Sequence, residues 1–360
     1  MYTKVVQLFL FVLLATTSSF ASPDSTSVFS ISGNVDTYYV YDFNKNPDYE
    51  LPFFMFNCKR TNEIAVNTGL LSAKYSTRRT RANAGFMTGT YQQVNNKTDI
   101  ELLSSVYELN GGVALDDSLQ VWFDVGIMPS YIGFETILFQ DNWTVTRSLC
   151  AEASPYYVEA AKLTYRVSPS VTVAGIVCNG WQRIYRVAGS SGMSFGTQLT
   201  MLPSEGVTFN WSTFIGSDDA DSLGRTRIFN NLYGMFSVGS KVSFIAGFDI
   251  GVQSPLPMQQ KNDIWFSPIV VCKIQPYEQL AIALRAEYFH DPKGVVFLTG
   301  SANEFSVGSG SVTVEYSPVK NTCFRLEQRL FSSTEPILKN NGTTATLNAI
   351  LIAAFSVRFP

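Results

Sequence analysis

From Phe29 onward the chain alternates apolar and polar positions in runs of about 10 to 15 residues rich in Val, Ile, Phe, Tyr and Thr, punctuated by Pro, Gly, Ser, Asn and Asp. Sixteen such runs fall roughly at 29–42, 61–76, 80–92, 103–115, 118–129, 156–167, 170–182, 193–202, 206–216, 228–238, 241–253, 263–274, 278–290, 303–316, 321–332 and 345–359. The last shows the pattern well. In "LNAILIAAFSVRFP", Leu347, Ala349, Leu351, Ala353, Phe355, Val357 and Phe359 share one parity; Asn348, Ser356 and Arg358 share the other, with Ile350, Ile352 and Ala354 as apolar exceptions. Side chains of a strand point alternately to its two faces, so this segment has one apolar and one mixed face. A helical anchor is excluded, because Arg358 interrupts the run and a helical span needs about 20 apolar residues.

The connectors alternate in length. Short ones follow the even-numbered runs (76–79, 168–169, 203–205, 239–240, 275–278 and 317–320, with 116–117 alike), whereas 43–60, 93–102, 130–155, 183–192, 217–227, 254–262, 291–302 and 333–344 are long. Short turns on one rim and long loops on the other predict an all-β fold: a transmembrane antiparallel up-and-down β-barrel of about 16 strands, of the bacterial outer-membrane type. Hydrocarbon offers no partner to a backbone N–H or C=O, so the last run must close on the first, "FSISGNVDTYYVYDF".

Parity also assigns faces. In the fifteenth run Phe324, Leu326 and Leu330 oppose Arg325, Glu327 and Arg329, and the charges belong inside, because on the lipid face each costs up to about 2–4 kcal/mol at the midplane. The same test places Asp36, Glu63, Arg81, Asp124, Lys162, Arg166, Asp249, Arg285 and Glu287 in the lumen. Barrels of this strand number enclose an aqueous channel, although alternating charges also suit a solvated sheet face or salt bridges bracing a plugged barrel. Tyr38, Tyr39, Tyr41, Phe43, Tyr156, Tyr157, Trp181, Phe214, Trp265 and Tyr288, near the loop ends of their runs, are candidates for an interfacial aromatic girdle.

Composition narrows the reading. "MYTKVVQLFLFVLLATTSSFA", residues 1–21, is a secretory signal with a basic start, an apolar stretch and a small-x-small cleavage site. Its loss leaves a segment 22–28, a single barrel domain over 29–360 and a net charge moved from −3 to about −4. Aromatics make up 14% and charged residues 15%, which speaks against helical soluble domains, and mild acidity speaks against a nucleic-acid partner. With no plug domain read before the first run, a gated transporter of the large plugged class is not expected. Cys58, Cys150, Cys178, Cys272 and Cys323 are odd in number and lack paired spacing, which favours small apolar roles over a disulfide framework or zinc site.

The segments "ISGNVDTYYVYDFN", "NEIAVNTGLL", "GTY", "DNWTVTRSLCAEASPYYVEAAKLTY", "NGWQRI", "NWSTFIGSDDADSLGRTRIFNNLYG", "GFDIGVQ" and "RAEYFHDPKGV" resemble the OmpL-like β-barrel porin family of Gram-negative outer membranes, over the first to the thirteenth run. The resemblance implies a non-enzymatic outer-membrane barrel without cofactors, and it brings no catalytic or solute-binding residues to carry over. Its implied partners are outer-membrane lipid, small hydrophilic solutes and the barrel assembly machinery. General porins are often trimers, so a homotrimer is compatible with it, yet no apolar patch separates a subunit face from a lipid face. Barrels resembling this one usually end on an aromatic residue; here Pro360 follows Phe359.

Porins resembling this one often fold their third loop inward. The connector 130–155 carries Glu135, Asp141, Arg147 and Glu152, and these are expected to face Arg81, Arg166, Arg285, Arg325 and Arg329 across a constriction. The expected function is passive diffusion of small hydrophilic solutes through a water-filled channel; the alternative is a structural or adhesive surface barrel with a blocked lumen. Asp218, Asp219 and Asp221 lack a full calcium-loop pattern and read as a hydrated loop tip, with no metal. His290, the one histidine, reads as a loop-end residue rather than the base of a hydrolase. Sequons at Asn96, Asn142, Asn210 and Asn341 would matter only in a eukaryotic secreted protein.

Overall fold

The computed structural model describes residues 27–95, 103–256, 261–300 and 305–359; the expected leader 1–21, most of 22–28, Asn96 and Pro360 lie outside the described residues. Fifteen strands follow in order: β1 (Val28–Asp42), β2 (Ile64–Ser76), β3 (Thr80–Thr88), β4 (Val106–Ala114), β5 (Val121–Pro129), β6 (Tyr157–Ser168), β7 (Val171–Cys178), β8 (Ser194–Ser204), β9 (Val207–Gly216), β10 (Arg227–Val238), β11 (Val242–Gln253), β12 (Asp263–Tyr277), β13 (Leu280–Asp291), β14 (Phe305–Tyr316) and β15 (Thr322–Ser333). The sixteenth wall strand, β18 (Leu347–Phe359), pairs with β15 on one side and β1 on the other, and the sheet closes. Every pairing is antiparallel, with Gly33 opposite Phe359 and Asp42 opposite Ile350 at the seam.

The long loops, L1 to L8, occupy 43–63, 89–105, 130–156, 179–193, 217–226, 254–262, 292–304 and 334–346, and the opposite rim has only short turns. L8 contains a small separate hairpin, β16 (Leu338–Asn340) and β17 (Thr343–Ala345). Short helices α1 (Thr90–Asn95) and α2 (Leu149–Glu152) lie in L2 and L3. None of the described helices is long and apolar enough to cross a membrane; the strands do that.

The two faces of the wall separate as alternation requires. On β11, Val242, Phe244, Ala246 and Phe248 point outward, and on β15 Phe324, Leu326 and Leu330 do so, while Arg325, Glu327 and Arg329 are buried inside. Glu63 departs from its expected place: it precedes β2, lies in L1, and is exposed on Arg60 at 2.7 Å. An exposed loop end is where an unburied carboxylate costs least.

The girdle needs a second correction. Tyr39, Tyr41 and Phe43 are exposed on the outer rim, but Tyr38, Phe214 and Trp265 are buried on the inner parity, and Trp181 packs against them from L4. There the loops fold into the barrel and supply apolar partners. Phe54 of L1 meets Phe305 at 4.9 Å, Phe331 at 5.6 Å and Phe297 of L7 at 6.0 Å, while Trp181 meets Phe214 at 5.0 Å and Phe229 at 4.9 Å. The loop-side half of the lumen is thus packed like a protein core, rather than left as an open tube.

Candidate functional site

L3 leaves β5 and turns into the barrel. Its hydrogen bonds to the wall begin on β8, β9 and β10, where Tyr131 accepts from Gln198 at 3.1 Å and Ser212 at 2.8 Å, and Gly133 donates to Asn231 at 3.1 Å. It then crosses to β13, β15, β18 and β1. A loop lying against the wall must satisfy its own peptide groups, and here wall charges do so.

Glu327 accepts the N–H groups of Val145 at 2.6 Å and Thr146 at 3.2 Å, and Glu287 accepts that of Leu149 at 2.6 Å. Arg285 donates to the Thr146 carbonyl at 2.7 Å and to the Thr144 hydroxyl at 3.1 Å. Arg329 donates to the Arg147 carbonyl at 2.8 Å, Arg325 to the carbonyls of Asn142 (2.9 Å) and Phe139, and Asp36 accepts Phe139 N–H at 3.1 Å.

The same side chains also neutralise one another. Arg285 lies 2.9 Å from Glu327, Arg329 lies 2.6 Å from Glu287, and Arg325 pairs with Glu315 on β14 at 2.6 Å. Side chains of Arg285, Glu287, Glu327 and Arg329 have no solvent exposure, so pairing plus hydrogen bonds to the loop offsets a desolvation cost that neither would offset alone. Three arginines and three glutamates form an electrically balanced latch.

The charges carried by L3 itself are bound elsewhere. Glu135 accepts from Ser148, from N–H at 2.8 Å and from the hydroxyl at 2.6 Å, and the same hydroxyl caps α2 at Ala151 N–H. Asp141 pairs with Arg358 at 2.8 Å. Arg147 donates to the Tyr91 hydroxyl at 2.6 Å, and Glu152 accepts the N–H groups of Phe56 and Asn57 in L1, each at 3.2 Å. Burial pushes the Glu152 carboxyl up, against the pull of Arg147 and those two amides. Among the described residues none of these loop acids forms an ion pair with Arg81, Arg166, Arg285, Arg325 or Arg329. The arginines hold the loop by its backbone.

The remaining sequence-selected residues lie apart from the latch. Asp249 accepts from Asn231 at 2.6 Å, beneath the start of L3. Arg81 grips Asp124 at 2.6 and 2.5 Å and stacks over Trp122 at 4.2 Å, Lys162 reaches Gln198 at 3.4 Å, and Arg166 is exposed near the short-turn rim. Sequence reasoning passed over Glu315 and Arg358, although each shares parity with an inward hydroxyl, Thr313 and Ser356. It also passed over Arg227, which lies over Trp181 at 5.2 Å and Trp265 at 5.5 Å and faces Asp218 at 3.7 Å.

The weaker constellations separate in space. Asp218 serves Arg227 and Trp181 N–H, Asp219 faces Arg225, and Asp221 accepts from Ser191 N–H, so the three carboxylates do not converge. His290 points outward and meets Ser306 at 2.8 Å, whereas Asp291 points inward and accepts from Val295, Val296 and Phe297.

Residues 28–359 match the model of the family described as "Putative beta-barrel porin-2, OmpL-like". No curated protein sequence matches the chain. Among solved structures, the outer membrane channel DcaP of Acinetobacter baumannii superposes with a TM-score of 0.62 at 12% identity, covering 95% of this chain and 100% of that one. An anion-selective porin from Comamonas acidovorans gives 0.62 at 9% identity, covering 92% and 100%. The trimer form of OmpT of Vibrio cholerae gives 0.59 at 10% identity, covering 92% and 99%.

Proposed function

Because the chain belongs to the OmpL-like β-barrel porins and is an outer-membrane channel, we propose that it passes small hydrophilic solutes by diffusion along the arc of wall that L3 leaves uncovered, the short-turn half of β2 to β7; in the loop-side half Leu70, Met87, Val106 and Ile127 pack with Ile137 and Leu138 of L3. The observation that carries this is the latch: among the described residues the hydrogen bonds of L3 to the wall fall on β8, β9, β10, β13, β15, β18 and β1, none of them on β2 to β7, and the uncovered arc bears Asn83, Asn110, Asp124, Lys162 and Thr164 on its inner face. Such a lining meets water without desolvating a solute completely. No catalysis belongs to this reading, since His290 and Asp291 face opposite sides of β13. A homotrimer fits it as well, given that OmpT of Vibrio cholerae has a trimer form.

Reconstitution tests it. Purified protein in planar bilayers is expected to give stable ion steps, and proteoliposomes are expected to swell in sugars at rates that fall with sugar size. A barrel with a blocked lumen, acting only through its surface loops, would give neither, and that result would overturn the proposal.

A further inference from the structure

We infer that the uncovered arc of the lumen prefers anions, although the chain as a whole is acidic. This inference rests on the channel reading and names its solute class. The formal charge of −3 predicts a cation preference if every carboxylate counts equally. They do not count equally, because the structure withdraws most lumenal acids from the water path.

Glu287, Glu315 and Glu327 are each held by a latch arginine, Asp36 is buried under Ser356 and the Phe139 N–H, and Asp249 is buried against Asn231. Of the acids on L3, Glu135 is tied to Ser148, Asp141 to Arg358 and Glu152 to L1.

What remains on the inner face of β2 to β7 is four cations, Lys74, Arg81, Lys162 and Arg166, against two carboxylates, Glu108 and Asp124. Register places three of these in one row across four strands: Arg81 lies opposite Gly112, Gly112 opposite Asp124, and Asp124 opposite Lys162. Gly112 is what lets the row close on itself, since a Cβ there would meet the Asp124 carboxylate at 2.0 Å. Asp124 is therefore committed to Arg81 at 2.6 and 2.5 Å with Lys162 on its other side, and the row keeps one uncompensated positive charge.

Lys74 and Arg166 are exposed, and among the described residues neither side chain forms an ion pair. Arg166 lies four residues along β6 from Lys162, about 13 Å towards the short-turn rim at the usual strand rise. A solute on this path meets positive charge at successive depths, and low-dielectric walls focus such a field and concentrate the counter-ion.

The zero-current potential of the full-length porin across a potassium chloride gradient tests the inference. The expected sign is that of chloride preference, fading as ionic strength rises and the charges are screened. The triple variant Lys74→Gln, Lys162→Gln, Arg166→Gln should lower the chloride-to-potassium permeability ratio by roughly twofold or more, and Asp124→Asn should raise it. Lys320→Gln, in a short turn outside the arc, should leave it unchanged. Cation preference of the native channel, or an equal shift from Lys320→Gln, would overturn the anion reading while ion steps and sugar-dependent swelling upheld the channel. Absence of ion steps would overturn both.

Discussion

At the scale of single residues, the lumen shows how one side chain can serve both wall and loop. Glu327 accepts from two L3 amides and pairs with Arg285 while wholly buried. Removing one partner of a buried ion pair costs about 3–5 kcal/mol, and here the loss falls on the segment the pair holds. Glu327→Ala is therefore expected to loosen L3 and raise single-channel conductance and its noise; unchanged conductance would show that the latch does not set the constriction. Glu152 makes a different demand. Its raised value means that its contribution is present in full below the ordinary glutamate value near 4.5 and is lost as pH rises through the raised value. Glu152→Gln escapes that loss, so its melting temperature relative to the native protein should increase between about pH 4 and about pH 8; a decrease would contradict the assignment. Parity made Arg285, Glu287, Arg325, Glu327 and Arg329 legible as inward residues, because only two directions exist on a strand. It could not foresee that they would bind peptide groups more than a hundred residues away, and it failed at Glu63, where no strand exists to give a direction.

At the scale of elements, the strands were readable because a single cause, oil outside and polar groups inside, acts on every second residue. The aromatic rings were misread for a related reason. Trp265 shares its parity with inward Ser267, and Phe214 with inward Ser212, so alternation points inside, while their nearness to strand ends suggested the girdle. The L8 hairpin was missed, because 333–344 read only as a long connector and the "NGT" triplet as a sequon: Asn341 and Gly342 both have positive φ, 45° and 84°, as the tightest hairpin turn requires. The seam between β1 and β18 offers a test of element packing. Phe359 lays its ring over Gly33, where a Cβ would lie 2.0 Å from the ring. Gly33→Val should displace the ring and destabilise by about 1–3 kcal/mol, as overpacking does. Heat-resistant migration of the unboiled protein on a gel would then be lost at a lower temperature, and Phe359→Ala in the same chain should recover part of the loss. Additive damage would show that ring and glycine do not meet.

At the scale of the whole molecule, wall and filling are separable on physical grounds. Each wall strand bonds to neighbours on both sides, and the closed ladder includes no backbone pairing to L3. The filling depends on the wall, since L3 finds its partners among wall charges spaced by strand register. The dependence does not run the other way: with L3 gone, Arg285 keeps Glu327, Arg329 keeps Glu287 and Arg325 keeps Glu315, and water entering the lumen solvates what the loop had covered. Wall residues such as Ile245, Ile269 and Val271 would lose their packing against Trp143 and Cys150, which lowers stability without opening the ladder. Replacing 136–150 by a short Gly-Ser linker should therefore leave strand content and heat-modifiable migration in place, lower the unfolding temperature, raise conductance several-fold and admit larger sugars in swelling assays. A variant that folds with native conductance and the native sugar limit would place the narrowest point of the channel elsewhere, under the aromatic packing of L1, L4 and L7.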